Sequence, residues 1–312
     1  MAEMDLHIIN DMLRTDLNET IANAERYYHE EMEEVAAAVA GNPDIRVILL
    51  AGPSSSGKTT SANILKDRII EKGRHCQVVS LDDFYRNRDE DYPINEDGTY
   101  DYENVTALRI DRVVECLQRI IDRQDCPLPH YEFKTALRHE NAEILKAHDD
   151  HVVIVEGLHA LNPVFSDPLP KANIYKVFVS VSTNINVEGK RIISGRKIRF
   201  LRRLTRDFLY RGASVDHTLE MWPNVLLGED KYLYPYKALA DCSINTFHMY
   251  EIGAILPFTE LMLQKQPPQQ ESDFLSLVLS AARRFEPIPE EKIPATSLLR
   301  EFIPGGIYEH LY

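Results

Sequence analysis

This sequence lacks the features that mark secreted and membrane proteins. Its four cysteines include no C-x-x-C pair, and no apolar run reaches the ~18 residues that span a bilayer. The first residues, MAEMDLHIINDML, have neither a basic start nor a long apolar stretch, so no signal peptide is predicted. We therefore expect reduced cysteines, no membrane span and a cytoplasmic location.

Positive charge is also scarce. The 312 residues carry 35 Lys and Arg against 49 Asp and Glu, which gives a formal net charge of -14. This charge argues against a surface that binds nucleic acid or an anionic membrane as a whole, although it permits a local basic site. The length allows one large α/β domain with appendages.

Apolar runs alternate with helical patterns through the middle of the chain. Runs typical of buried strands occur at residues 45–51, 76–81, 152–155 and 174–181. Helical patterns at 59–72 and 108–123 lie between them, and such alternation indicates right-handed βαβ units and a parallel sheet. Residues 128–145 are predicted to form a small β-hairpin or a lid outside it. The predicted fold class is therefore α/β, with a parallel sheet flanked by helices.

The chain is predicted to have three parts. Residues 1–43 form a helical lead-in, because apolar residues recur at spacings of three and four from Leu17 to Val35. Residues 44–264 form the α/β domain. Residues 265–312 contain a Pro-rich linker, a helix and an extended tail, which are expected to pack on that domain.

The string GPSSSGKTT fits the pattern G-x-x-x-x-G-K-[ST] and lies between a predicted strand and a predicted helix. In this context successive backbone N–H groups and the positive end of the helix dipole face an anion. Gly52 and Gly57 permit backbone angles and close approaches that a Cβ would block. Lys58 would reach the β- and γ-phosphates, and the Thr59 hydroxyl would bind Mg²⁺. The string predicts a P-loop NTPase fold whose nucleotide contacts come from Gly52, Pro53, Ser54, Ser55, Ser56, Gly57, Lys58, Thr59 and Thr60.

Acidic residues follow two of the predicted strands. Asp82 lies in DDFY after the strand at 76–81, and Glu156 follows the strand at 152–155. Ligands of open α/β sheets bind at the carboxyl ends of the strands. Asp82 is therefore placed to accept a proton from an attacking hydroxyl or to orient it, and Glu156 to contact Mg²⁺. A helix cap or turn is the alternative for each residue alone, but the pair favours a kinase.

Residues 190–211 are densely basic and are opposed only by Asp207. Arg199, Arg202, Arg203 and Arg206 recur at helical spacing, so several can project from one face. Such a helix can close over ATP as a lid and stabilise charge on the transferring phosphoryl group. A solvated basic face and a surface for RNA or DNA are the alternatives. The lid is favoured, because a nucleic-acid surface would spread beyond one segment.

Taken in order, six strings resemble the uridine kinase family, which includes uridine–cytidine kinases and phosphoribulokinase relatives. They are GPSSSGKTT, SLDDFY, YDYEN, PHYEF, VVIVEG and RRLTRDFLYRG, across about residues 45–250. Four further strings, VEGLHALNP, TLEMWPNV, GEDKYLYPY and LREFI, look like a bacterial nucleoside-kinase branch. Some members of that branch carry N-terminal domains similar to those of threonyl-tRNA synthetase.

The resemblance implies a nucleoside kinase that uses ATP and Mg²⁺ and acts as a homo-oligomer. For the acceptor, it implies that Asp82 acts at the nucleoside 5′-hydroxyl, with Tyr85 of the same pattern in the substrate site. Asp101 in YDYEN would bind the ribose hydroxyls, and Tyr131 in PHYEF would lie beside the base. His159 lies just past Glu156, where a side chain can face the acceptor, although a buried structural histidine is the alternative.

For the phosphates, the resemblance implies that Glu156 assists Mg²⁺. Arg203 would contact the acceptor or the transferring phosphate, while Arg206 and Arg211 would contact the ATP phosphates from the lid. The tyrosines of KYLYPY, which include Tyr232, are expected to be packing residues.

The chain also departs from the animal enzymes. Where those have a pyrimidine-reading histidine, this sequence has Ala136, with His139 slightly displaced, and Ala213 replaces an arginine in the lid segment. Base preference and the choice between ATP and GTP therefore stay open. A phosphoribulokinase-like sugar phosphate kinase and a regulatory or RNA-associated nucleotide-binding protein are the alternative functions.

Overall fold

The structure is a computed structural model that describes residues 2–94, 98–132 and 135–311. Phe133, the last residue of the PHYEF string, lies outside these residues. Within them, no helix has both the length and the apolar character needed to cross a membrane.

The described residues contain strands and α-helices that alternate along much of the chain. The strands are β1 (Ala2–Asp5), β2 (Val47–Ala51), β3 (Cys76–Ser80), β4 (Cys126–Glu132), β5 (Leu137–Leu145), β6 (Val152–Glu156), β7 (Ile174–Ser180), β8 (Thr183–Val187), β9 (Lys190–Ile193) and β10 (Cys242–Asn245). The α-helices are α1 (Leu6–Thr15), α2 (Leu17–Ala40), α3 (Lys58–Glu71), α4 (Ile110–Ile121), α5 (Pro163–Ser166), α6 (Gly195–Arg211), α7 (Val215–Tyr232), α8 (Glu251–Lys265) and α9 (Asp273–Ala282).

Five strands form the central sheet, in the order β10-β7-β2-β6-β3, and every neighbouring pair is parallel. Both β2 and β6 are buried along their whole length, because Val, Ile and Leu side chains face the helices on both sides of the sheet. The carboxyl ends of β2, β3 and β6 therefore meet at one edge of the sheet. The predicted α/β class and parallel sheet are confirmed.

The N-terminal segment is mainly helical, as predicted. In α2 the side chains of Tyr28, Met32 and Val39 are fully buried, and the Asp16 carboxylate caps the helix by accepting from the Glu19 N–H at 2.9 Å. The strand β1 was not predicted. It pairs in parallel with β8, which pairs antiparallel with β9, so these three strands form a second sheet.

The predicted hairpin is confirmed, since β4 and β5 pair antiparallel. The basic stretch that begins at Lys190 contains the helix predicted from the spacing of its arginines, since α6 begins at Gly195, and its first residues form β9.

The segment after α8 joins the main core. Leu298, Leu299 and Phe302 have no exposed surface and belong to the same apolar cluster as α2 and α8. Near the chain ends, the Asn10 side chain donates to the Arg284 carbonyl at 2.8 Å and accepts from the Glu286 N–H at 3.1 Å. The domain limits proposed at residues 43 and 264 stay predictions.

Candidate active site

The loop between β2 and α3 has the backbone that its glycines predict. Gly57 has φ +88°, and a Cβ there would lie 2.6 Å from Leu298 Cδ1. At Gly52 a Cβ would lie 2.3 Å from the Val179 carbonyl oxygen, so the loop could not approach β7 with any larger residue. Lys58 opens α3 and donates from Nζ to the Pro53 carbonyl at 3.2 Å. The first N–H groups of α3 are thus presented at the edge of the sheet, where an anion can bind them.

Asp82 and Glu156 lie at the same edge of the sheet, as predicted from their positions after strands. Ser80 and Glu156 are partners on the neighbouring strands β3 and β6. The Ser80 hydroxyl donates to Glu156 Oε1 at 3.2 Å and accepts from the Asp82 N–H at 3.3 Å, so it links the two acidic residues.

The electrostatics of this edge couple the carboxyl groups to the loop lysine. Burial raises the pKa of Glu156 to about 7, and the neighbouring Lys58 ammonium opposes this rise in pKa. The pKa of Asp82 is also raised, because the surrounding protein limits the hydration of its carboxyl group even though the residue is exposed, and Lys58 again opposes the rise in pKa. The Lys58 ammonium is therefore near enough to both carboxyl groups to offset part of the rise in their pKa values.

The arginines of α6 do not form a solvated basic face. Arg199 bonds Glu229 through two nitrogens, at 2.7 and 2.8 Å, and both side chains are buried. Arg202 bonds Glu251 at 2.6 Å, and neither side chain has exposed surface. Their helical spacing was predicted correctly, but Arg199 and Arg202 are not free to close over ATP. The interpretation of α6 as an exposed basic surface is wrong for these two residues.

Three other arginines gather around Asp207, the sole acidic residue of the basic segment. Arg203 Nε lies 3.2 Å from Asp207 Oδ2, Arg206 donates to Oδ1 at 2.8 Å, and Arg211 Nη1 lies 3.6 Å from Oδ1. Arg203 also donates from Nη1 to Ser54 Oγ in the P-loop at 2.7 Å. Arg203 is thereby held against the phosphate loop, and its predicted role and those of Arg206 and Arg211 stay predictions.

Tyr232 reaches the predicted ribose-binding residue. Its hydroxyl donates to Asp101 Oδ2 at 2.9 Å and accepts from Asn104 Nδ2 at 3.2 Å. This tyrosine of KYLYPY was expected to be a packing residue, and that expectation is wrong. The sequence offers no indication of this hydrogen bond, because 131 positions separate Tyr232 from Asp101.

His159 lies beside Tyr232, with ring centroids 6.0 Å apart. Only 4 % of it is exposed, and among the described residues neither ring nitrogen has a hydrogen bond of normal geometry. Burial lowers its pKa to about 4, although the nearby Glu103 carbonyl opposes this, so the ring is neutral at physiological pH. A buried ring whose nitrogens make no hydrogen bond of normal geometry is unusual for a structural histidine, which favours the prediction that His159 faces a ligand.

Five tyrosines form a wall near the acidic edge. Tyr85 and Tyr131 have ring centroids 5.6 Å apart. Tyr92 contacts Tyr100 at 5.3 Å and Tyr102 at 5.6 Å, and the Tyr85 hydroxyl donates to the Tyr102 carbonyl at 3.1 Å, which joins the two groups. Only Tyr85 and Tyr131 were predicted as site residues. The string YDYEN carried a signal for the others, because two tyrosines flank Asp101 there.

Glu103 was not predicted as a site residue. Burial raises its pKa to about 7, the Glu229 and Asp82 charges add to this rise, and Arg203 and Lys58 oppose it. Its side chain packs against Gly228 of α7. Glu103 therefore belongs to the same charged group as the P-loop lysine and Asp82.

The raised pKa of Glu103 predicts a pH-dependent stability. Its carboxyl favours folding below its ordinary pKa of 4.5, and this contribution is lost as pH rises towards about 7. The Glu103→Gln protein does not lose this contribution. From pH 5 to pH 8, its free energy of unfolding should therefore rise by about 2 kcal/mol relative to that of the unmodified protein. Urea denaturation at both pH values measures this change. Glu220→Gln, which alters an exposed carboxylate of α7, should give no such gain, and an equal gain in both variants would refute the assignment.

Two more carboxylates contact the P-loop itself. Glu229 Oε1 accepts from the Ser54 N–H at 2.8 Å. Glu301 Oε2 accepts from the Thr60 hydroxyl at 2.7 Å and from the Thr60 N–H at 3.4 Å. Neither was predicted, because each lies far from the loop in sequence, and the strings GEDKYLYPY and LREFI that contain them gave no indication of a contact with the loop.

Comparison with known proteins gives consistent matches. Residues 47–252 match the profile of the family described as Phosphoribulokinase / Uridine kinase family. A uridine kinase of Bacillus pumilus is 28% identical over 199 residues, which cover 64% of this chain and 85% of that protein. A uridine kinase of Lactobacillus johnsonii is 28% identical over 196 residues, which cover 62% of this chain and 83% of that protein.

Among solved structures, a protein described as a possible uridine kinase from Bacillus stearothermophilus gives a TM-score of 0.41 at 16% identity. The match covers 64% of this chain and 88% of that protein. At this TM-score the similarity adds nothing to the argument.

Proposed function

We propose, on the premise that this chain belongs to the phosphoribulokinase / uridine kinase family, that it transfers the γ-phosphoryl group of ATP to the 5′-hydroxyl of a nucleoside. Membership of the family makes the chain a nucleotide-binding phosphotransferase of the kinase class. The identification of a nucleoside as the acceptor is the part that we propose beyond family membership. Such a reaction returns free nucleosides to the nucleotide pool, which is a salvage function.

The observation that carries this proposal is the combination of a tyrosine wall with a carboxylate beside it. Tyr85 and Tyr131 are contiguous with three further tyrosines, and planar rings of this kind suit an aromatic base. Asp101 offers carboxylate oxygens to hydroxyl donors, as its bond from Tyr232 illustrates. A base and a vicinal diol together describe a nucleoside. A sugar phosphate has no aromatic ring that could contact the tyrosines.

In the proposed reaction, Asp82 accepts the proton of the attacking 5′-hydroxyl or orients it. Phosphoryl transfer needs little covalent help from the protein, so catalysis consists mainly of positioning and charge stabilisation. Lys58, which already lies beside Asp82 and Glu156, would move from the Pro53 carbonyl to the β- and γ-phosphates. Arg203, held at Ser54, would stabilise the transferring group, with Arg206 and Arg211 on the other phosphates.

Mg²⁺ fits the oxygen atoms of this site. Thr59 is in the first turn of α3, and the Glu156 carboxylate ends β6. Residues 2–94, 98–132 and 135–311 contain no cluster of three or more His, Cys, Asp or Glu side chains that could hold a metal. That is compatible with Mg²⁺, which is commonly bound by one or two carboxylates, waters and the substrate phosphates. When bound, the ion neutralises charge on those phosphates, and Thr59 and Glu156 would hold it.

A screen of ATP consumption across nucleosides and sugar phosphates tests the proposal. We expect ADP to form only with a nucleoside, and the product to be its 5′-monophosphate by mass spectrometry and NMR. The Asp101→Ala variant should lose nucleoside turnover while still binding ATP. Turnover of sugar phosphates alone would contradict the proposal and favour the phosphoribulokinase-like alternative. Salt-sensitive RNA binding without any acceptor turnover would favour the regulatory alternative.

The bond between Tyr232 and Asp101 gives a prediction about the acceptor. The Tyr232→Phe protein should show an acceptor KM raised about tenfold, because a hydrogen bond to a carboxylate contributes about 1.5–3 kcal/mol to its orientation. The kcat should change less than about twofold, since Tyr232 does not touch the phosphates in this proposal. Steady-state kinetics measure both constants. The matched control is Tyr236→Phe in the next turn, and an unchanged KM in Tyr232→Phe would remove Tyr232 from the acceptor site.

A further inference from the structure

The segment formed by residues 297–303, here called the C-terminal wall, lies directly against the phosphate loop. Leu298 fills the space beside Gly57, where a Cβ would come within 2.6 Å of its Cδ1. Phe302 lies beneath the Arg202 guanidinium, 4.9 Å from carbon to ring centroid. Leu298, Leu299 and Phe302 have no exposed surface. The C-terminal wall is therefore part of the loop's immediate surroundings.

Arg300 fixes the shape of this wall. Its guanidinium donates to the carbonyls of Ile293 at 2.6 Å and Glu290 at 3.2 Å, and also to the Pro304 carbonyl. These bonds tie the chain before the wall to the chain after it. Glu301, the next residue, is thus presented towards α3 from an ordered turn.

The Glu301 carboxylate binds the same kind of group that a nucleotide phosphate needs. It accepts from the Thr60 hydroxyl at 2.7 Å and from the Thr60 N–H at 3.4 Å, and only 5 % of the residue is exposed. Thr60 is the third residue of α3, so its N–H is one of the first four that have no acceptor within the helix. In a P-loop, these amides cradle the α- and β-phosphates.

A carboxylate and a phosphate cannot both occupy this position. The two groups would compete for the Thr60 N–H donor. Two anions bound to the same donor in a buried site also repel each other strongly. A second cation stands near, because Arg206 Nη1 lies 4.0 Å from Glu301 Oε1. Glu301 thus has an alternative partner to which it can turn without becoming an isolated buried charge.

We propose that Glu301 is a donor-site residue whose carboxylate competes with a nucleotide phosphate for the Thr60 amide, so that the C-terminal wall sets the affinity for ATP and ADP. This inference rests on the proposed function for the identity of the ligand. It adds to that function a residue in no P-loop motif, separated from Thr60 by 241 positions. The consequence is weaker binding of ADP and hence its easier release after transfer.

The Glu301→Gln substitution isolates the charge from the contact. The glutamine amide oxygen can still accept from Thr60, while the negative charge that opposes the phosphate is removed. We expect the Kd of ADP, measured by isothermal titration calorimetry, to fall about tenfold. Glu291→Gln removes the same charge from an exposed position six residues before the wall and should leave the Kd unchanged.

An unchanged or raised Kd in Glu301→Gln would overturn the inference, because it would make Glu301 only a support for the loop. If that variant melts early, hydrogen exchange of the unmodified protein gives a second test. Saturating ADP should accelerate exchange in residues 297–303 if the carboxylate is displaced, and equal or slower exchange would contradict displacement.

The proposed function fails separately from this inference. If neither nucleosides nor sugar phosphates are phosphorylated, the assignment of the acceptor is lost, while a lower ADP Kd in Glu301→Gln would still support competition at Thr60. If neither the unmodified protein nor the variant binds ADP, both proposals are refuted together.

Discussion

Replacing Asp82 with asparagine is expected to reduce turnover at least ~100-fold, the usual scale for loss of a general acid or base. Asparagine keeps the size of the side chain but cannot accept the proton of the attacking hydroxyl. ATP binding should stay nearly intact, because the phosphate contacts come from the loop and not from the end of β3. Single-turnover kinetics for the chemical step, with ATP affinity measured separately, distinguish the two effects.

The neighbouring residue provides a matched control for this experiment. Asp83 Oδ1 accepts from the Tyr131 N–H at 3.2 Å and contacts His130 Nδ1 at 2.9 Å. Asp83→Asn therefore removes the same charge one position away, from a residue that holds the tyrosine wall. We expect its effect mainly on the acceptor KM. Near-normal turnover in Asp82→Asn would sink the catalytic assignment of Asp82.

The second large effect is expected on stability, from the buried pair of Arg202 and Glu251. Both side chains have no exposed surface, and the carboxylate also accepts from the His248 N–H at 2.9 Å. Glu251→Ala leaves a guanidinium buried without its counter-charge, which should lower the free energy of unfolding by about 3–5 kcal/mol. Urea denaturation at neutral pH measures the loss.

Replacing both partners separates the cost of an unpaired charge from the worth of the pair. In the double variant Arg202→Met with Glu251→Leu, no charge is left behind, and most of the lost stability should return. Arg202 also donates to the Thr246 carbonyl at 2.7 Å. The double variant loses this hydrogen bond as well. A loss below about 1 kcal/mol in Glu251→Ala would show that these remaining acceptors suffice for Arg202.

The parts of the site that were predicted from sequence are those that depend on local pattern. Gly57 and Lys58 belong to a contiguous loop in which the glycine provides a backbone angle and the lysine a phosphate contact. Asp82 and Glu156 follow apolar runs, and the rule that parallel strands end at one edge places them together without any knowledge of the tertiary structure. The same apolar runs predict the central sheet, because burial on both faces leaves no polar positions.

The parts that were missed depend on partners distant in sequence. The arginine spacing in α6 predicts the helix, but it does not show whether each arginine side chain has a carboxylate as an ion-pair partner. Glu229 lies 30 positions from Arg199, and Glu251 lies 49 positions from Arg202, on helices that no rule of local spacing connects to α6. The strand β1 was missed for a different reason, since its four residues AEMD are too few for their alternation to indicate a strand, and its order comes from pairing with β8.

The contact between the C-terminal wall and the loop has a consequence for how the protein is made. Gly57 and Leu298 touch, yet the ribosome adds leucine only after almost the whole α/β unit has been synthesised. Until then, the glycine-rich loop lacks its contact with Leu298, and Thr60 lacks its contact with the Glu301 carboxylate. All five strands of the central sheet precede the C-terminal wall in the chain, so the sheet can form before the nucleotide site is finished. A competent phosphate loop is thus a late product of biosynthesis, although its own sequence is made long before that of the C-terminal wall.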